Sequence, residues 1–251
     1  MKNLKLFFLA AIILATYTLT AQVSITTDGT DPDGSAMLEV KSTAKGFLPP
    51  RMTNAEIKAI SNPTEGLMVY SNEENKPFYY DGSEWKGFDG TSTLPLAVGD
   101  SYGGGIIFYL DGTGEHGLIA ATADQSSGLQ WTTSTYQNVT VPGGATSLTD
   151  GLANSNAIVA QAGAGITYAA GLCRAYSATG DGGLNDWYLP SKDELNNLYL
   201  NKDAIGGFDS GYYWSSSEYF DYSAWRQYFP TGTQYNASKS HAYRFRAVRA
   251  F

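Results

Sequence analysis

Strand-like segments occupy both ends of residues 98–251 and helix-like segments occupy the middle, which restricts the possible folds more than any other feature of the sequence. The apolar run 105–110 before Asp111-Gly112 and the run 117–121 predict a pair of strands. After Gly206-Gly207 the sequence is strand-like again to its end. Helical patterns lie between them, at about 152–162, 167–176 and 191–200. This order predicts an α+β domain.

The third helical pattern has the clearest start signal. Ser191 can accept a hydrogen bond from the backbone of Glu194, and the Glu194 side chain can reach back, which is a capping box. Leu195, Leu198 and Tyr199 then form a stripe on one side of the helix. We therefore expect this helix to pack against the domain core.

The preceding part of the chain predicts a small β-rich module over residues 22–90. Its short apolar runs alternate with turn residues, as in small strands. Thr53 and Glu56 form a second capping-box pattern at the start of a short helix. Residues 91–97 lie in a stretch rich in Gly, Ser, Thr and Pro and are assigned as a linker to the domain at 98–251.

The first 21 residues predict a secretory signal peptide. Lys2 and Lys5 precede the apolar run 6–14, and Ala21 is a small residue before Gln22. No later apolar run is long enough to be a convincing transmembrane segment. We therefore expect an exported protein, located outside the cell or on the bacterial cell surface.

The charge of the chain limits the kinds of partner that it can bind, and its cysteine content limits the interactions that can stabilise its fold. The chain has 24 acidic and 16 basic residues and a formal net charge of −8, which argues against nucleic acid as a partner. Cys173 is the only cysteine, so an intramolecular disulfide cannot form and stability must come from the core. Cys173 lies in an Ala-rich helical pattern, and we expect it to be a buried, inert thiol.

Sequence signatures of catalysis are missing, so we expect a protein that is not an enzyme. The sequence contains neither His-Glu-x-x-His nor Gly-x-Ser-x-Gly, and its only histidines are His116 and His241. Ser215–Ser217 lie beside Glu218, but the sequence shows no base or oxyanion hole to activate a nucleophile. The glycines at 103–105 lack the Lys-Ser/Thr of a phosphate-binding loop.

Three motifs occur in order in the last third of the chain: Asn185–Leu195, Tyr213–Glu218 and Arg246–Phe251. Together they resemble the C-terminal domain of Legionella collagen-like adhesins, and the resemblance spans roughly residues 98–251. It implies a C-type-lectin-like fold that binds ligands at a surface. It also implies that Trp187, Leu189, Trp214, Val248 and Phe251 mostly build the core.

Formylglycine-generating enzymes share the general lectin-like fold and are the main enzymatic alternative. Their copper site uses a pair of cysteines. Cys173 stands alone in this chain, which argues against that activity.

Residues 35–52 resemble the N-terminal module of many exported proteins of Bacteroidetes-type bacteria. Similar segments are found near tail-fibre-like and surface-fibre proteins. This resemblance implies an oligomerising or attachment role, so a homo-oligomer, with a trimer as one form, is expected among the partners.

Residues 212–243 are the best candidate for a ligand-binding surface. They hold seven of the 18 tyrosines together with Trp214 and Trp225, separated by Ser, Asn, Gln and Gly, a mixture that suits both protein and sugar ligands. If Trp225, Gln227 and Phe229 face the core, strand alternation points Arg226 and Tyr228 outward. The predicted exposed set is Tyr219, Tyr222, Arg226, Tyr228, Gln234, Tyr235, Asn236, Lys239 and His241.

Positive charge is concentrated near the end of this acidic chain, in Arg226, Lys239, Arg244, Arg246 and Arg249. Such a patch could bind a sulfated or carboxylated polysaccharide through bidentate Arg contacts. For Arg246 and Arg249 we prefer the alternative, in which they form internal ion pairs that fix the last strand.

No metal or other cofactor is expected. Asp28, Asp31 and Asp33 before Gly34 lack the spacing and the closing Glu of a calcium loop. Asn185-Asp186-Trp187 has a superficial similarity to a lectin calcium triplet. A structural calcium ion there remains the alternative to a simple turn.

The sequence favours an adhesin-like protein that recognises an extracellular glycan, with sulfated or anionic polysaccharide as the favoured class. Two alternatives remain open. The first is a variable display protein of the kind diversified by retroelements, which would bind surface proteins. The second is a structural protein of a fibre tip or matrix.

Overall fold

A computed structural model describes residues 22–90, 93–178 and 183–251 of the chain. The predicted signal peptide at 1–21 lies outside these ranges, as do residues 91 and 92 of the predicted linker. The chain divides into two compact units, one ending at Leu94 and the other running from Pro95 to Phe251. Within the described ranges, no helix is long and apolar enough to cross a membrane.

The described residues of the N-terminal unit form two small sheets and one short helix. A parallel pair, β1 and β2, stands apart from a four-stranded sheet of order β3-β4-β5-β6, in which only the β3–β4 pair is parallel. The predicted capping box of Thr53 and Glu56 is confirmed at the start of the helix. The elements are β1 (Val23–Thr26), β2 (Leu38–Lys41), β3 (Arg51–Met52), α1 (Asn54–Lys58), β4 (Met68–Ser71), β5 (Lys76–Tyr80) and β6 (Trp85–Gly87).

A small apolar core holds the four-stranded sheet and its helix together. Ile57 of α1 packs with Val69, Phe78, Trp85 and Leu94, all of them buried. The β1–β2 pair contributes no residue to this core.

The C-terminal unit combines two sheets with helices from the middle of its sequence, which is compatible with the predicted α+β class. One sheet has the order β15-β9-β8-β7 and the other has the order β10-β14-β11-β12-β13. The strands are β7 (Ser101–Tyr102), β8 (Gly105–Leu110), β9 (Gly117–Ala120), β10 (Ser126–Leu129), β11 (Tyr212–Phe220), β12 (Ser223–Tyr228), β13 (Thr233–Ser238), β14 (Tyr243–Phe245) and β15 (Val248–Ala250). The helices are α2 (Gly151–Ala162), α3 (Ala169–Arg174), α4 (Lys192–Leu200) and α5 (Lys202–Ile205), and a 3-10 turn covers Ser134–Tyr136.

Aromatic residues fill the core of this unit. Trp187, Leu189, Trp214 and Val248 are completely buried, as predicted, and Phe251 is partly buried against the same core. Burial of side chains of this size stabilises a fold by about 1.5–3 kcal/mol each. The core can therefore support the unit without a disulfide.

Two buried arginines fix the last strands, as predicted. The Arg246 Nη2 atom lies 2.7 Å from Asp124 Oδ1, and Arg246 also donates 2.8 Å to the carbonyl of Gly206. The Arg249 Nε atom lies 2.9 Å from Asp186 Oδ1. These contacts join β14 and β15 to loops that are distant in sequence.

The α4 capping box is confirmed and extends to a second helix. Ser191 accepts from the backbone of Glu194, while one Glu194 oxygen accepts from the backbone N–H groups of Ser191 at 2.6 Å and Gly151 at 3.2 Å. The Tyr188 hydroxyl donates to the other oxygen at 3.0 Å. Burial raises the pKa of the Glu194 carboxyl above its ordinary value, although these hydrogen bonds oppose the shift.

Candidate functional site

The sheet β11-β12-β13 places several of the predicted binding residues on one face. Arg226 lies opposite Trp214 on one side and opposite Tyr235 on the other, and Tyr228 lies opposite Tyr212. Residues directly opposite each other in neighbouring strands project from the same face of a sheet. We call the six residues Tyr212, Arg226, Tyr228, Tyr235, His241 and Tyr243 the aromatic platform.

Arg226 lies at the centre of the aromatic platform. Its guanidinium carbon is 3.7 Å from the ring centroid of Tyr212 and 4.7 Å from that of Tyr243. The Nη1 atom donates to the Tyr243 hydroxyl at 2.7 Å. Burial raises the pKa of the Tyr243 phenol, and its hydroxyl oxygen accepts the hydrogen bond from Arg226. Cation–π contacts and this hydrogen bond hold the guanidinium in place.

The other rings extend the platform on both sides of Arg226. Tyr212 and Tyr228 have their ring centroids 4.7 Å apart. His241 stacks on Tyr243, with a centroid separation of 5.5 Å and an interplanar angle of 3°. Tyr235 and His241 are exposed, whereas Arg226, Tyr228 and Tyr243 are half-buried. The platform thus offers ring faces and polar atoms beside one positive charge.

Gln234 and Asn236 lie on the opposite face of the sheet. They stand opposite Gln227 and Trp225, respectively, in the β12–β13 register. Gln234 Nε2 donates to the carbonyl of Lys192 at 2.9 Å, which ties this face to α4. Gln227 is buried on this face, while Trp225 is only half-buried. The predicted residue set therefore does not form a single site.

Tyr219 and Tyr222 belong to a third location, the end of β11 and the turn that follows it. We call residues 219–222 the hairpin tip. Tyr219, Phe220 and Tyr222 are 42%, 54% and 52% exposed, so these three large rings face solvent. The rings of Phe220 and Tyr222 are stacked, with their centroids 6.1 Å apart. Phe220 was not among the predicted residues, although it lies between Tyr219 and Tyr222, which were.

The prediction that Lys239 is exposed is wrong. Its side chain is completely buried, and Nζ lies 2.5 Å from Glu218 Oε1. Nζ also donates to the carbonyls of Asp221 at 2.6 Å and Val139 at 3.0 Å. Lys239 follows the last residue of β13, where strand alternation no longer fixes the direction of a side chain. Its position is set instead by the buried Glu218 carboxylate, which needs a counterion.

Four of the five cationic residues considered for a polyanion-binding patch are paired with carboxylates, as expected for Arg246 and Arg249. Arg244 Nη2 lies 2.9 Å from Asp209 Oδ2, and Lys239, Arg246 and Arg249 form the ion pairs already described. Within the ranges that the structure describes, Arg226 is the one member of this set without a carboxylate partner. Of these five residues, Arg226 is therefore the one whose charge is left for a ligand, and it lies in the aromatic platform.

Three of the acidic residues considered for calcium have other partners. Asp186 pairs with Arg249, and Asp28 and Asp33 accept hydrogen bonds from Thr30 and Ser35 in their own turns. Among the described residues, no group of three or more His, Cys, Asp or Glu side chains is arranged to hold a metal ion.

Residues 120–249 match the family model of the Lcl C-terminal domain, named after the Legionella collagen-like protein. This match covers more than half of the 251-residue chain. The chain belongs to the Lcl C-terminal domain family. The resemblance inferred from the three ordered motifs is thereby confirmed, and both the aromatic platform and the hairpin tip lie inside the Lcl C-terminal domain.

The N-terminal unit has a separate match. Residues 24–97 match a phage tail like trimerisation region, which supports a homo-oligomer. No curated protein sequence matches the chain as a whole or in part.

Proposed function

We propose that this chain is an adhesin-like protein of the extracellular space or cell surface, whose Lcl C-terminal domain binds glycans and catalyses no reaction. The domain would have a C-type-lectin-like fold, which is compatible with its α+β composition. The observation that carries the proposal is the aromatic platform, in which Arg226 is held among tyrosine rings. Membership of the Lcl C-terminal domain family supports the adhesin-like role.

The chemistry of the platform suits a sugar ring. Exposed aromatic faces such as Tyr235 can pack on the C–H side of a pyranose, while tyrosine hydroxyls and the His241 ring can pair with its hydroxyl groups. The Arg226 guanidinium can bind one carboxylate or sulfate group in a bidentate manner.

The pairing of the other cations limits the class of glycan. A densely sulfated chain needs several free positive charges, but Arg244 and Lys239 are neutralised by Asp209 and Glu218. A glycan with isolated charges, such as a uronic acid in an otherwise neutral chain, fits a platform with one available guanidinium. We therefore propose a sparsely charged anionic glycan as the ligand.

Oligomerisation would raise the strength of binding. We propose a homotrimer, supported by the match of residues 24–97 to a trimerisation region. A trimer presents three platforms to one polysaccharide, so that the second and third contacts occur at high effective concentration.

A glycan array probed with the full mature chain tests this proposal. It should contain neutral, uronic-acid-containing and heavily sulfated glycans. We expect Arg226→Ala to lower binding to the uronic-acid group by about tenfold or more, as loss of a charge-assisted contact implies. Arg244→Ala is the matched control, because this arginine is paired with Asp209 and lies outside the platform.

Two results would contradict the proposal. One is equal binding by the wild-type chain and Arg226→Ala at equal thermal stability. The other is the absence of binding to every glycan on the array.

The hairpin tip supports a second candidate, a variable display protein that binds other proteins. Tyr219, Phe220 and Tyr222 are exposed aromatic residues of the kind that dominate protein-binding loops. A neighbouring reverse transcriptase gene and a near-copy of the coding region for residues 219–243 would favour this candidate over the glycan proposal.

A further inference from the structure

The parallel pair β1–β2 has an inverted pattern of burial. Val23, Ile25, Leu38 and Val40 are 54%, 59%, 57% and 44% exposed, whereas the polar residues between them in β1 are half-buried. In an ordinary strand with one face in water, the aliphatic residues are the buried ones. The inversion indicates that these aliphatic residues are covered by a surface that does not belong to the described residues of this chain.

The register of the pair places these four aliphatic residues on one face. Val23 lies beside Leu38, and Ile25 lies beside Val40. The alternate positions pair Ser24 with Glu39 and Thr26 with Lys41. Successive side chains of a strand point to opposite faces, so the pair has one apolar and one polar face. We call this pair the amphipathic ribbon.

The crossover segment 27–37 covers the polar face of the ribbon. Ser24 Oγ donates to the carbonyl of Thr30 at 3.3 Å, and the backbone N–H of Asp33 donates to Glu39 Oε2 at 2.9 Å. Lys41 Nζ lies 3.8 Å from a carboxylate of the same segment. The chain's own connection therefore lies on the polar side and leaves the apolar face bare.

A bare apolar face is unfavourable for so small a sheet. Parallel strands are normally covered on both faces, and an isolated pair of strands is marginally stable in water. The apolar core of the N-terminal unit includes none of the four aliphatic residues. The trimerisation match covers all of the ribbon except Val23, which points to further copies of this chain as the cover.

We propose that three amphipathic ribbons, one from each copy of the chain, pack their apolar faces together around a threefold axis. The three crossover segments then lie on the outside of this assembly and face water with their polar residues. This inference rests on the homotrimer of the proposed function and identifies the surface that forms it. It does not depend on the identity of the glycan.

Cysteine cross-linking in the full mature chain tests the geometry. Val40→Cys places a thiol on the apolar face, and Glu39→Cys places one on the polar face one residue away. Cys173 is completely buried, so it leaves both variants with a single reactive thiol. Under oxidising conditions we expect Val40→Cys to form interchain disulfides and Glu39→Cys to stay uncross-linked. Equal cross-linking of the two variants would overturn the proposal.

Sedimentation without glycan gives an independent test. We expect the wild-type chain and Glu39→Gln to sediment as trimers. We expect the double variant that combines Ile25→Ser with Val40→Ser to sediment as a monomer. A wild-type monomer would overturn the proposal, as would a double variant that remains trimeric.

A pocket of about 370 Å³ in the same unit offers a rival contact, lined in part by Phe47, Met68, Pro77 and Phe88. If Met68→Ser dissociates the trimer while the ribbon variants leave it intact, this pocket forms the interface and the ribbon proposal is wrong. If all variants sediment as expected but the wild-type chain binds no glycan, only the proposed ligand is contradicted.

Discussion

Lys239 Nζ and Glu218 Oε1 are 2.5 Å apart, and both side chains are shielded from solvent. Glu218 also accepts from the backbone N–H of Val141 at 3.1 Å, while Lys239 donates to the carbonyls of Asp221 and Val139. The pair thus joins the β11–β12 hairpin, the end of β13 and the segment around residue 140. Its role is to hold three parts of the chain together rather than to bind a ligand.

Replacing Lys239 by Met should destabilise the domain strongly. The Glu218 carboxylate would remain buried without its counterion, and loss of one member of a buried pair costs about 3–5 kcal/mol. The measurement is the denaturant midpoint followed by tryptophan fluorescence, because four of the five tryptophans lie in this unit. Lys202→Met is the control in the same unit, because its pair with Asp203 is solvent-exposed, and it should change the free energy of unfolding by less than about 1 kcal/mol. A stable Lys239→Met variant would show that the pair is dispensable.

Glu194 should make stability depend on pH. Burial raises its pKa in the folded state above the ordinary value of 4.5, so folding favours the protonated carboxyl. This contribution is fully present below the unfolded pKa and is lost as the pH rises through the folded pKa. Wild type should therefore gain stability relative to Glu194→Gln as the pH falls from 7 through the folded pKa toward the unfolded value of 4.5. Parallel pH profiles of unfolding for the two proteins would contradict this.

Gly151 should not tolerate a methyl group. A Cβ atom there would lie 2.5 Å from the backbone nitrogen of Ser191 and 2.8 Å from the carbonyl oxygen of Leu189. We expect Gly151→Ala to lower the free energy of unfolding by about 1–3 kcal/mol through overpacking. Gly165→Ala is the control, since its Cβ would have no neighbour within 4 Å. Equal unfolding midpoints for the two variants would contradict the close contact at Gly151.

Cys173 should be unreactive in the folded protein. It is completely buried, and burial raises the pKa of its thiol, which suppresses the thiolate that reacts with labelling reagents. We expect an aromatic disulfide reagent to label it only after addition of denaturant. Rapid labelling of the native chain would show that the α3 region opens readily.

Local patterns in the sequence were sufficient for some features of this fold. The capping boxes at Thr53 and Ser191 need only four consecutive residues, so they could be recognised without tertiary information. Strand alternation within β12 correctly separated Arg226 and Tyr228 from Gln227, which lies on the other face of the sheet. Membership of the family followed from three motifs in order.

Pairing between distant residues could not be predicted in the same way. Asp124 is 122 residues from Arg246, and the sequence contains no signal that joins them. The contribution of Tyr243 to the aromatic platform depends on the pairing of β14 beside β11, which no local pattern specifies. A run of positive charges in the sequence does not show their partners, so the pairing of Lys239 with Glu218 and of Arg244 with Asp209 could not be predicted.

The buried ammonium group of Lys239 has a consequence for the hairpin tip above it. It binds the carbonyl of Asp221, and the backbone N–H of Lys239 donates to the carbonyl of Tyr222 at 2.9 Å. The shape of the turn is thus fixed by contacts to main-chain atoms, which every amino acid possesses. The exposed rings at 219, 220 and 222 can consequently be exchanged for other side chains without loss of the turn, so this hairpin is suited to carry randomised positions in a binder library.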